Sequence, residues 1–211
     1  MASPTHVRPF HLDLSGINGG KSLKKYLIGL VSMLLATSLA LAAPESYTLD
    51  SRHSFPVFQI NHLGLSLQLG RFNRATGKFV IDREAKSGSV DLTIDAASID
   101  MGIEKWDEHM KGEDYFNVEK FPSMTFKANS VFFDGDRVVG AEGDFTLLGV
   151  TRPVRVVFAG FNCTAHPINK RQVCGGNASA TFKRSDFGLT KGLPGIGDEV
   201  RLSMAVEAFR D

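Results

Sequence analysis

Beyond residue 42 the chain carries four histidines, His53, His62, His109 and His166. Metal binding or acid–base chemistry needs two or three such groups to converge. His53 and His62 are nine positions apart, which on an unbroken strand sends them to opposite faces. No H-x-H, H-E-x-x-H or Cys/His cluster is present, so no metal ligands are assigned. His53 reads as a buried structural hydrogen-bonding residue. Ser54 beside it invites a hydrolase reading, a His-Ser pair acting on a lipid amide or ester. No G-x-S-x-G elbow supports it, and a serine at a turn ordinarily bonds nearby main chain. Glu104, Asp107, Glu108, Glu113 and Asp114 are read as a solvated helix face. Gly192 to Gly197 lacks the Lys-Ser/Thr ending and following helix of a phosphate loop. Ser185-Asp186-Phe187-Gly188 holds a D-F-G triplet without the other kinase loops, so Asp186 is read as an acid that caps or pins a turn. No catalytic residue is assigned.

Cys163 and Cys174 are the chain's two cysteines. Neither belongs to a Cys-x-x-Cys pair, and His166 alone does not complete a metal site. A disulfide is the expectation if the chain is exported, and closing so short a loop contributes about 3 kcal/mol in the chain-entropy model.

The N-terminus predicts that export. Lys21, Lys24 and Lys25 form a basic region, Tyr26 to Leu41 is apolar and uncharged, and Ala40-Leu41-Ala42 is a small-x-small cleavage site. That order is a secretory signal peptide, with an uncleaved anchor as the alternative. Residues 1–42 are thus an N-terminal extension plus signal peptide, and the twenty residues before the signal point to a translation start set too far upstream. The mature part, 43–211, loses four of the 24 basic residues and one of the 23 acidic ones, leaving a net charge of −2. Near-neutrality gives no electrostatic footprint for nucleic acid, and no later stretch is apolar enough to span a bilayer as a helix.

The mature chain alternates, which means strands. Val90, Leu92 and Ile94 share one face of Ser89 to Asp95; Met124, Phe126 and Ala128 do so in Ser123 to Asn129. Val139, Ala141, Phe145 and Leu147 follow in Arg137 to Leu148, then Val154, Val156 and Phe158, then Ala178, Ala180 and Phe182, then Val200 to Ala208. Phe55 to Asn61 and Gly70 to Asp82 are strand-like too, the second interrupted at Thr76-Gly77. Asp134-Gly135-Asp136 signals a hairpin, Gly149 and Pro153 bracket a bend, and Gly175-Gly176 ends the loop between the cysteines. Met101 to Lys120 predicts one or two short helices, closed by Phe121-Pro122.

About eight antiparallel strands, each apolar on one face, close into a barrel or pack as a sandwich. Inward small residues, Ala128, Ala141, Gly143, Ala178, Ala180 and Ala208, leave space unless larger neighbours fill it. Periodicity does not choose between a filled and an open interior.

The chain resembles the YceI-like family of exported, lipocalin-like proteins associated with polyisoprenoid binding. The resemblance is carried by Tyr47-Thr48-Leu49-Asp50-Ser51-Arg52-His53-Ser54, Asn61-His62-Leu63-Gly64, Gly70-Arg71-Phe72, Ala97-Ser98-Ile99-Asp100 and Asp107 to Phe116. It continues through Lys120-Phe121-Pro122, Phe145 to Val154, Lys183 to Gly188 and Gly197 to Val200. The family often has histidine before the Gly-Val-Thr triplet where this chain has Leu148, so no role built on that histidine transfers. The Cys163/Cys174 pair belongs to only part of such a family.

The resemblance implies an all-β, eight-stranded antiparallel lipocalin-like barrel with an open apolar interior and no known catalytic residues. The expected function is a periplasmic carrier of a long isoprenoid or similar lipid. The alternatives are an envelope stress-response module with a filled barrel, or the hydrolase. The expected lining is Phe58, Ile60, Phe72, Phe79, Leu92, Ile94, Met124, Phe126, Phe145, Leu147, Val156, Phe158, Phe182, Leu202 and Met204. No cofactor is called for beyond a bound polyisoprenoid or quinone-like lipid. The partner is an apolar lipid, not nucleic acid, without a stable membrane span after cleavage, and a homodimer is left open.

Overall fold

The computed structural model describes residues 43–211, so the expected extension and signal peptide, 1–42, lie outside the described residues. Eleven strand segments form one antiparallel sheet: β1 Glu45–Leu49, β2 Pro56–His62, β3 Ser66–Phe72, β4 Ala75–Asp82, β5 Ser87–Asp95, β6 Ile99–Asp100, β7 Ser123–Asp134, β8 Arg137–Leu147, β9 Val150–Ala165, β10 Gln172–Lys183 and β11 Ile196–Arg210. The sheet closes because the end of β11 pairs with β1, Tyr47 opposite Arg210 and Leu49 opposite Ala208.

Eleven segments make eight staves. β1 and β2 both run antiparallel to β11, one after the other. β3 and β4 run back along them, and β5 and β6 return along β4 and β3. The first three staves are therefore each broken once, and β7 to β11 are the other five. Two of the breaks hold each other: Asn73 N donates to the Ser98 carbonyl (2.9 Å) and Arg74 N to Ser98 Oγ (3.0 Å). The break between β1 and β2 is tied to β11, where Glu207 N donates to Ser54 Oγ (3.0 Å). This is the eight-stranded closed barrel expected, closed by the β11–β1 pairing and with the apolar faces turned inward.

Several local expectations are corrected. The break in Gly70 to Asp82 falls at Asn73–Arg74, and Thr76-Gly77 lies within β4, opposite Thr93 and Leu92. Gly77 serves there as a small neighbour to the Leu92 side chain. Pro153 lies inside β9; the turn is Leu148-Gly149 alone, both with positive φ (51° and 74°). Gly175 and Gly176 belong to β10, beside a bulge opposite β9. The cysteines face each other across these two strands, and Cys163–Cys174 is a disulfide. In β8, Val139 is skipped in the pairing of Phe132 with Gly140 and Phe133 with Val138. That bulge shifts the phase of the alternation, so Val139 faces outward while Val138 and Ala141 line the interior.

Between β6 and β7 the chain leaves the sheet. One helix forms there, α1, Glu104–Lys111, and the remainder to Glu119 is turns. Its residues include no β-branched side chain, its acids Glu104 and Asp107 sit in the first turn, and Lys111 in the last, as the helix dipole favours. Asp107 Oδ1 also accepts Met101 N (2.6 Å), and Lys111 Nζ pairs with Glu108 (2.7 Å). Trp106, His109 and Met110, at i, i+3 and i+4, share a face turned towards the barrel interior.

Candidate ligand-binding site

The barrel interior holds two abutting chambers of about 150 and 310 Å³. All fifteen side chains expected to line a cavity do line one of them. Phe79, Leu92, Phe126, Val156, Phe158 and Met204 belong to the first. Phe58, Ile60, Phe72, Met124 and Leu147 belong to the second. Ile94, Phe145, Phe182 and Leu202 stand in the walls of both. These four form a waist. Phe187 buttresses it, its ring centroid 5.5 Å from that of Phe145 and 5.4 Å from that of Phe182.

Small side chains hollow the first chamber. Ala141, Ala178, Ala180 and Ala208 line it, where larger residues would fill it. Ala128 is buried in the surrounding core. A second apolar cluster, Tyr47, Ile81, Cys174 and Ala208, lines one end of it. Outside it, Glu45 accepts from Tyr47 Oη (2.8 Å) and Arg83 Nε (3.1 Å) and forms an ion pair with Arg210 Nη1 (3.2 Å). Burial pushes the Glu45 carboxyl up, but these donors outweigh it and hold it below its ordinary value.

The second chamber is shaped by residues that strand periodicity missed: Gln68, Met101, Trp106, His109, Met110, Tyr115, Arg184, Leu189 and Ile196. Two signals could have found some of them. Trp106, His109 and Met110 make an apolar-aromatic stripe at helical spacing on a segment read only for its acids. Arg184 continues the inward phase of Ala178, Ala180 and Phe182. Trp106, in the wall of this chamber, is 48 % exposed. Leu63, Leu65, Leu67, Leu69 and Ile103 are exposed on the neighbouring β2–β3 hairpin and the start of α1.

The candidate hydrolytic residues do not assemble. His53 Nδ1 lies 2.8 Å from Asp50 Oδ2, an acid–imidazole pair, but the His53 side chain is 55 % exposed rather than buried. Ser54 is 0 % exposed. Its hydroxyl donates to the Glu207 carbonyl (3.4 Å) and accepts the Glu207 N–H, so it ties the β1–β2 break to β11. Neither residue lines a chamber. The turn after β10 is pinned by Asp198 rather than Asp186: Ser185 N donates to its Oδ1 (2.9 Å) and Ser185 Oγ to its Oδ2 (2.8 Å). The acids after residue 103 are likewise more than a solvated face, with Asp114 paired to Lys191 (2.8 Å).

Comparison with known proteins bears on this site. The profile of the YceI-like domain matches residues 47–208. A UPF0312 protein of Pectobacterium atrosepticum is 36 % identical over 191 residues, covering 89 % of this chain and 98 % of that protein. A UPF0312 protein of Pseudomonas aeruginosa is 35 % identical, with 89 % and 99 % covered. Among solved structures, Burkholderia cenocepacia BcnA superposes with a TM-score of 0.61 at 25 % identity, covering 75 % of this chain and 98 % of BcnA. A polyisoprenoid binding domain from Saccharophagus degradans, implicated in plant cell wall breakdown, superposes at 0.57 and 18 % identity, covering 78 % and 98 %, a likeness of fold.

Proposed function

Because this chain belongs to the YceI-like family, we propose that its barrel binds a long isoprenoid chain or similarly apolar lipid and carries it in the periplasm. One observation carries the reading: two abutting chambers whose walls include all fifteen apolar side chains named above, the first without a single Lys, Arg, His, Asp or Glu. Apolar space of this kind stays dry until an apolar guest enters. Burying each CH₂ contributes about 0.8 kcal/mol, so several isoprene units supply roughly 10 kcal/mol before ordering costs offset part of it. Met124 and Met204, one in each chamber, adapt their shape to an irregular chain. The hollow interior counts against the filled-barrel interaction module. A polyisoprenoid-binding relative of the same fold adds weight to this ligand class.

The periplasmic setting draws on the signal-like N-terminus and on the Cys163–Cys174 disulfide, which suits an oxidising compartment. Among the described residues no helix is long and apolar enough to cross a membrane.

Native mass spectrometry of the exported protein after gentle purification tests the reading. The expected result is a population heavier by the mass of a prenyl lipid, restored after delipidation by added geranylgeraniol. A protein that is empty as isolated and takes up no prenyl lipid overturns it.

A further inference from the structure

The two chambers differ in polarity. The wall of the second contains Arg184 with His62, Gln68, His109 and Tyr115, and no carboxylate. Arg184 is 1 % exposed. Its Nε, Nη1 and Nη2 donate to the carbonyls of Gly197 (2.8 Å), Leu189 (2.9 Å) and Ile196 (3.0 Å). A guanidinium has five N–H groups, so two, one on each Nη, have no partner among the described residues. No carboxylate forms an ion pair with it there either. Asp198, whose charge acts on Arg184 from nearby, spends its oxygens on Ser185. Burial accordingly pulls the guanidinium down from its ordinary value. Pinning the 189–197 segment accounts for three of its hydrogen bonds. It does not account for a buried cation with unspent donors in the wall of a lipid-sized chamber, an arrangement that costs free energy unless an acceptor arrives.

The geometry points to Arg184 as the anchor for the anionic oxygen head group, phosphate or carboxylate, of a single-headed lipid whose tail passes the Phe145–Phe182 waist into the first chamber. This rests on the lipid-binding reading and sets the ligand's orientation. An anionic oxygen takes the two free N–H groups as charge-assisted hydrogen bonds, while Gln68 and Tyr115 offer further donors in the same wall. A cationic head meets a like charge, with no carboxylate in the chamber wall to pair with.

Delipidated protein is titrated at one pH with four C20 branched-chain probes: geranylgeranyl phosphate, phytanic acid, geranylgeraniol and geranylgeranylamine. The phosphate and the acid distinguish the two sources of anionic oxygen. The expected result is that at least one anionic probe binds tighter than the alcohol by roughly tenfold or more, the scale of one hydrogen bond to a charged group, and that the amine binds weakest. Arg184→Lys, which keeps the charge but cannot serve three carbonyls and a head group together, should bring the anion-to-alcohol ratio towards one. Should that variant fail to fold, the wild-type ranking decides. Equal affinity for all four probes, or an alcohol bound as tightly as both anions, overturns the Arg184 assignment while leaving lipid binding intact. Binding of none of the probes overturns both.

Discussion

Phe145 and Phe182 face each other with ring centroids 5.3 Å apart, and each belongs to the wall of both chambers. The pair is held in place by Phe187, buried at 1 % exposure behind it. A tail longer than one chamber must pass these rings, with Ile94 and Leu202 completing the constriction. Close-packed aromatics yield by changing rotamer rather than by compressing, so under the proposed lipid binding the waist is expected to set the rate at which long chains load.

Phe182→Ala tests this. Removing the ring should join the chambers at a cost of about 2–4 kcal/mol, somewhat below the range for a fully buried Phe because Phe182 is half-buried; urea denaturation reads it. Trp106, the chain's single tryptophan, lines the second chamber and reports filling by fluorescence. Stopped-flow mixing should show faster uptake of a C20 prenyl alcohol in the variant, with little change for a C10 alcohol. An unchanged C20 rate would remove the waist from the loading path.

Asp50 gives the stability an acid limb. Burial pushes its carboxyl up, but hydrogen bonds from the His53 side chain and from the Arg52 main chain and side chain prevail and bring it down to about 2 from 3.8. A depressed native value means stability that is present above the unfolded value and lost as pH falls through the native one. The contribution, about 2 kcal/mol, should therefore disappear between about pH 4 and pH 2. Asp50→Asn should lower stability at pH 7 and flatten the profile across that window, measured by urea denaturation at each pH. Wild type and variant with parallel slopes there would remove Asp50 as the source.

The disulfide joins directly opposed residues of β9 and β10, 11 positions apart. In the chain-entropy model closing such a loop contributes about 3 kcal/mol. The Cys163→Ser, Cys174→Ser double variant should melt roughly 6–12 °C lower by calorimetry. A melting point within 1 or 2 °C of wild type would mean that the β9–β10 turn already restricts the unfolded chain there.

What the sequence revealed and what it hid follow from the period of a strand. Alternation of two put Phe58, Leu92, Phe126 and Phe182 on the inner face, because an inward side chain in an unbroken strand has one direction available. The same rule failed at Val139, where one skipped residue reversed the phase. It did not find β1, whose five residues are too few to show a period. Arg184 was hidden for a different reason. Alternation carried on from Phe182 points it inward, but what lets a guanidinium stay there is three carbonyls five to thirteen positions away in the chain, and no local pattern announces partners of that kind.

Leu63 sits where the turn chemistry asks for another residue. Leu65 N donates to the His62 carbonyl (3.0 Å), closing a β-turn within the three-residue loop between β2 and β3, in which Leu63 and Gly64 both have positive φ, 59° and 73°. That turn type favours Asn-Gly, because asparagine tolerates the left-handed conformation that costs other L residues about 1–2 kcal/mol. Leu63 is 60 % exposed, so little packing is lost on replacing it. Leu63→Asn should raise stability by about 1 kcal/mol and the melting temperature by roughly 2–4 °C. The main-chain bond from Leu63 N to the Gly195 carbonyl (2.7 Å) survives the exchange, which isolates the backbone effect from the tie to the 192–195 segment. A lower melting temperature would mean that packing of the leucine side chain beside Gly195 outweighs the strain, and that the apolar tip of this hairpin is held for packing rather than merely tolerated.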